Sequence, residues 1–70
     1  MKIIVRFSNN THEDLNLEIN DNTSCLNLKE LIFSHYNDAL INNQRIIYMG
    51  KLIKDNSILV KNNIKENDYI

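Results

Sequence analysis

Seventy residues allow one domain and a modest core, because a chain this short buries only part of its surface. Hydrophobic residues at 43% and charged ones at 24% sit in the ordinary globular range, which excludes an intrinsically disordered chain. A net charge of −1 with eight scattered Lys and Arg excludes the concentrated basic face of a nucleic-acid binder, and the single cysteine excludes an internal disulfide.

The chain opens on MKIIVRF, too short an apolar run for a signal peptide and interrupted by Arg6. Lys2 to Phe7 reads as a β-strand, with Ile3, Val5 and Phe7 on one face and Lys2, Ile4 and Arg6 on the other. SNNTHED follows as a polar turn, and Leu15 to Asn20 then alternates without error, so the two strands form a hairpin. Thr23 or Ser24 is placed to cap a helix. In that helix Cys25, Leu28, Ile32 and then His35 or Tyr36 recur at helical spacing, with Leu31 widening the stripe and Asn27, Lys29 and Glu30 opposite. NDALINNQ ends it, with Leu40 or Ile41 returning to the core.

Arg45 to Tyr48 forms a third strand, Met49-Gly50 a turn and Leu52-Ile53 a short fourth strand. Gly50 is the one glycine in the chain, which points to a positive-φ backbone position. Asp55 to Ser57 is another turn, Ile58 to Val60 a helical or 3₁₀ turn, Asn63 to Asp68 a loop, and Tyr69-Ile70 the start of an extended segment. No stretch approaches the length of a membrane span. Asparagine pairs at Asn9-Asn10, Asn42-Asn43 and Asn62-Asn63, with abundant Ile and Lys and no Pro, fit translation of an AT-rich genome, and asparagine tolerates the backbone geometry that usually needs glycine.

Ile46 and Ile47 are neighbours in the third strand. Successive side chains of a strand point to opposite faces, so one isoleucine faces the core and the other faces water. The residues alone leave the meaning of the outer one open, because single exposed apolar side chains are common.

QRIIYMGKLIKDNSIL, followed five residues later by Ile64, resembles the Q-R-L-I-(F/Y)-x-G-K-x-L-x-D-x-x-x-L signature of ubiquitin and ubiquitin-like domains. MKIIVRF is similar to their first strand and LKELI to the core of their helix. The resemblance implies an α+β fold of the β-grasp (ubiquitin-like) type, a mixed sheet of four to five strands packed on one helix. It also implies that Ile46 is inside and that Ile47 stands at the exposed isoleucine of a recognition face. Arg45, Gly50 and Lys51 match further motif positions around that face. Met49 adds a flexible apolar side chain, and Ile4 is a second outward candidate. Partner-binding residues are thus expected at Ile47, Arg45, Met49, Gly50, Lys51 and Ile4.

Three departures from the family pattern bear on function. The turn SNNTHED is longer than in ubiquitin and carries no leucine, so the apolar patch is smaller. The residues end at Ile70, inside the last strand, without a Gly-Gly tail, which implies one domain over residues 1–70 cut from a longer protein. The loop NDALINN lacks the prolines that ubiquitin has there.

Nothing in the chain spells catalysis. His12 and His35 have no cysteine or carboxylate at ligand spacing and read as surface histidines. Ser24 reads as a cap, since no base is placed near it, and Glu13-Asp14 and Asp55 read as turn acids. Cys25, among apolar residues, reads as a small buried hydrophobe, and a lone thiol fits a reducing compartment. The expected protein is therefore a monomer with no cofactor or metal, no nucleic-acid ligand and no direct membrane contact.

The resemblance implies a non-conjugated ubiquitin-like domain, as in ubiquilin-type proteasome shuttles or endoplasmic-reticulum quality-control proteins. Such a domain docks on ubiquitin receptors, proteasome subunits or helical ubiquitin-interacting motifs, and works in the cytoplasm, facing the cytosol, or in the nucleus. Two alternatives stand beside it. One is a covalent modifier whose Gly-Gly tail lies past Ile70, for which Lys29 or Lys51 are candidate chain acceptors. The other is strand-to-strand pairing with a small GTPase, resting on Lys2 and Arg6.

Overall fold

The computed structural model describes residues 1–7, 12–65 and 68–69. Asn9-Asn10, Glu66-Asn67 and the continuation of the last strand to Ile70 lie outside the described residues. Strand β1 (Lys2–Val5) pairs antiparallel with β2 (Leu15–Glu18), with Ile3 opposite Leu17 and Val5 opposite Leu15. Both strands are shorter than their alternating runs, yet the parity holds: Ile3, Val5, Leu17 and Ile19 are all buried. β5 (Asp68–Tyr69) adds to the other side of β1 in parallel, which gives the strand order β2-β1-β5.

Helix α1 spans Cys25–His35. Of the two candidate caps Ser24 is used. Its Oγ accepts from the Asn27 backbone N–H at 3.1 Å, and the Asn27 side-chain oxygen accepts from the Ser24 N–H at 3.1 Å, so two otherwise unsatisfied donors are paired. Thr23 is buried instead, its hydroxyl accepting from the Asn20 N–H. Cys25, Leu28 and Ile32 face the core as expected, but Leu31 does not: at about 100° per residue it stands roughly a quarter turn from their mean direction, and it is exposed. Lys29 also departs from expectation. Its stem is largely covered and its ammonium meets Asp55 at 2.6 Å, which ties the helix to the turn beyond β4.

β3 (Ile47–Tyr48) and β4 (Lys51–Leu52) form a two-stranded antiparallel ribbon. Five strands are described, within the expected four to five. The five strands divide into a three-stranded sheet and this ribbon, because β3 is two residues long and makes its ladder bonds to β4 alone among the described residues. Met49 (φ 54°) and Gly50 (φ 76°) form the turn, both at positive φ, as a tight hairpin requires. A 3₁₀ turn (Leu59–Asn62) follows and is closed by Asn63 at φ 63°. Asparagine thus takes one position where glycine is usual.

Ile3, Val5, Leu17, Ile19, Cys25, Leu28, Ile32, Ile46, Ile53, Leu59 and Ile64 make one buried cluster between sheet, ribbon and helix. Ala39, rather than Leu40, packs on it from the loop after the helix, while Leu40 stays half exposed. Strands clasping a single helix in this order are the β-grasp arrangement.

Candidate functional site

The Ile46–Ile47 question has a clear geometric answer. Ile46 is 6% exposed and Ile47 is 53% exposed. A backbone hydrogen bond from the Ile53 N–H to the Ile46 carbonyl, 2.8 Å, continues the ribbon inward by one pair, so Ile46 and Ile53 anchor it in the core. The next pair out is Ile47 opposite Leu52. Residues directly opposite in an antiparallel pair project to the same side, so Ile47 and Leu52 form a two-residue apolar step facing solvent. Leu52 is 58% exposed.

Leu52 is the surface residue that sequence reasoning missed. The signal was present: once Ile47 points out, its hairpin partner two residues past the turn points out with it. The apolar surface is accordingly not confined to Ile47 and Met49, but extends along the ribbon.

Arg45, two residues before Ile47, shares its strand parity and is exposed. Met49, at the turn, is the most exposed large apolar side chain described. Lys51 is placed differently. It lies opposite Tyr48, on the other side of the ribbon from Ile47 and Leu52, and it lines a cleft there with Tyr48. Of the two expected basic neighbours of Ile47, strand parity therefore gives Arg45 to the Ile47 face and Lys51 to the reverse. Gly50 serves the turn: a Cβ there would meet nothing within 4 Å, so its backbone conformation explains its identity. Ile4 is half-buried on the outer side of β1, in the other sheet.

The histidines also call for a correction. His12 has a carboxylate after all: its Nε2 lies 2.9 Å from Asp38, which is 26 residues away in sequence. The ring packs at 4.9 Å from Phe7 and 4.3 Å from Tyr36, and the His12 side chain is only 17% exposed. The Tyr36 hydroxyl donates to the Glu13 carbonyl, and Asp14 pairs with Arg6. This cluster fastens the β1–β2 connection to the end of the helix. His35 lies in the last helical turn, where a cation is favourable.

Cys25 is fully buried, its Sγ 3.5 Å from the Ile53 carbonyl oxygen. Burial pushes its thiol above the usual 9.0, and Lys29 only partly opposes this, so the thiol is held neutral and inert at ordinary pH.

A model of the ubiquitin family matches residues 3–70, essentially the whole chain. Among curated proteins none matches.

Proposed function

The chain belongs to the ubiquitin family, and from that membership we propose that it acts as a non-conjugated ubiquitin-like interaction domain. Ubiquitin-like domains work through contacts with other proteins, as interaction modules or as modifiers, and are generally without catalytic activity. The finer reading is that this domain docks the protein carrying it onto ubiquitin receptors, the proteasome or a quality-control complex, in the cytosol or nucleus. The observation that supports it most is the Ile47–Leu52 pair, two branched aliphatic side chains side by side in solvent, with Arg45 on the same side and Met49 at the tip.

The pair suits a weak, reversible contact. Roughly half of Ile47 remains to be covered, and complete burial of such a side chain is worth about 1.5–3 kcal/mol, so docking gains about 1 kcal/mol from this residue. Arg45 at the edge of the face favours acidic partners and accelerates encounter more than it tightens binding. The helical ubiquitin-interacting motif, an amphipathic helix with acidic residues, fits that description.

The test is a calorimetric titration of a peptide carrying such a motif into the wild-type domain, Ile47→Ala and Leu52→Ala. Each substitution is expected to leave the amide spectrum folded and to weaken binding by up to about 1 kcal/mol, several-fold in affinity. Unchanged affinity in both variants removes this face from the account. The modifier reading shares the fold and the face. It is distinguished by incubating the full-length protein with conjugating enzymes, where a covalent adduct through a terminal glycine would displace the docking reading.

A further inference from the structure

The reverse of the β3–β4 ribbon has a different chemistry from its Ile47 face. Between the ribbon and the 3₁₀ turn lies a cleft of about 480 Å³, lined by Tyr48, Met49, Lys51, Ile53 and the segment Lys61, Asn62, Asn63 and Lys65. We propose that this cleft is a second docking site, separate from the Ile47 face, and that its occupant is an acidic peptide segment of a protein partner carrying one apolar side chain.

Charge is the first argument. The whole chain is slightly acidic, with nine Asp and Glu against eight Lys and Arg, yet three of those eight line this one cleft and no acidic residue does so among the described residues. The side chains of Lys51 and Lys61 form no ion pair among the described residues, and both are exposed. A positive concavity inside an otherwise balanced surface concentrates carboxylates.

Shape is the second. One wall is braced by its own hydrogen bonds: the Asn62 amide donates to the Ser57 hydroxyl and to the Ile58 carbonyl, each at 3.0 Å, and the Tyr48 hydroxyl reaches the Asn63 carbonyl across the cleft at a long 3.5 Å. Asn63, at positive φ, turns the chain at the rim. A preformed cleft reduces the ordering cost of binding. Its volume falls in the range of small-ligand sites, about 300–1,000 Å³, so it accommodates a few residues of peptide rather than a single ion.

The lining is also mixed in a way that selects peptide over a simple polyanion. Met49 is almost wholly exposed at the mouth, and the partly buried Tyr48 ring sits beside it, which offers an apolar side chain somewhere to settle while lysines hold the flanking carboxylates. Among the described residues Tyr48 is the one aromatic side chain of the lining and no arginine joins it, so these residues do not provide the stacking and forked contacts that single-stranded nucleic acid uses.

The experiment is an amide-resolved NMR titration with a short synthetic peptide of Asp and Glu around one central Leu. Controls are the same peptide with Ala for Leu, its Asn/Gln counterpart, inorganic phosphate and a single-stranded oligonucleotide. The acidic Leu peptide is expected to shift Lys51, Lys61, Asn62, Asn63 and Lys65, and to bind more tightly than every control. Lys61→Gln combined with Lys65→Gln, both on exposed positions, is expected to lower that affinity about tenfold, given a few-fold loss per surface charge pair. Ile47→Ala is expected to leave it unchanged, which separates this site from the face described above. Shifts confined to Ile47 and Leu52 would overturn the proposal. So would equal binding of the Ala peptide or phosphate, which would mean charge attraction alone. Tighter binding of the oligonucleotide would assign the cleft to nucleic acid instead.

Discussion

Two adjacent isoleucines of identical chemistry offer a sharp test of the ribbon's geometry. Ile46→Ala removes atoms from a site that is 6% exposed, and Ile47→Ala removes them from one that is 53% exposed. Truncating a buried isoleucine to alanine costs about 2–5 kcal/mol, through lost transfer energy plus the cavity left behind. For Ile47 only the covered half counts, about 1 kcal/mol, with no closed cavity and a few tenths more for lost strand preference. The expected gap is therefore about 2 kcal/mol. With a urea slope near 1 kcal/mol/M for a domain this small, the two unfolding midpoints should lie about 2 M apart, Ile46→Ala the lower. Ile53→Ala should behave like Ile46→Ala, and Leu52→Ala like Ile47→Ala, because each pair shares a side of the ribbon. Circular dichroism at increasing urea reads all four. Equal midpoints for Ile46→Ala and Ile47→Ala, or the reverse order, would refute the assignment of inside and outside on which both docking surfaces depend.

Ser24→Ala removes one arm of the reciprocal cap and should cost about 1 kcal/mol in the same urea assay, and Ser24→Gly only a few tenths of a kcal/mol. Met49 holds a left-handed backbone without being glycine, so Met49→Gly should stabilise by about 0.5–1 kcal/mol, and Gly50→Ala should destabilise by about 1 kcal/mol through backbone strain alone. Cys25 supplies a pH dependence whose sign follows from burial. Its thiol is raised above 9.0 in the fold, so its contribution is complete below that value and declines as pH rises past it, when the unfolded chain ionises and the folded one does not. The urea midpoint should thus fall more steeply between pH 8 and pH 10 for the wild type than for Cys25→Ala, with thiol reagents blocked until unfolding, and parallel slopes would contradict a buried neutral thiol.

What could be read from the chain was whatever repeats with a short period or sits beside a special residue. Strand parity placed Ile3, Val5 and Leu17 correctly and required Ile46 and Ile47 to face opposite ways, while the family resemblance said which of the two is inside; the lone glycine marked a positive φ. The helix cap was narrowed to two neighbours. What escaped was set by distance in sequence or by side-chain length. The His12–Asp38 pair joins residues 26 positions apart, and no local rule links them. Lys29 and Asp55 meet across the same separation, so a lysine assigned to solvent proved to be a tether. Leu31 lies at the border of the helix stripe, where a change of direction by a fraction of a turn decides between core and water. Lys51 follows the parity of Tyr48 rather than of Ile47, a distinction that becomes visible only once the hairpin register is known. The three lysines of the cleft are scattered in the sequence and converge only because the 3₁₀ turn folds back beneath the ribbon.

The ribbon's attachment carries a consequence for its dynamics. Four residues make up its two strands, and Ile46 and Ile53 are the pair that roots it, whereas β1 and β2 pair over four residues each. Opening of this hairpin exposes little beyond that pair, so it should be reached at a lower free energy than global unfolding, and its amide protons should exchange with deuterium earlier than those of Ile3 or Leu17. Because Ile47 and Lys51 ride on the same hairpin, one local excursion would withdraw both contact surfaces together while the rest of the molecule stayed intact.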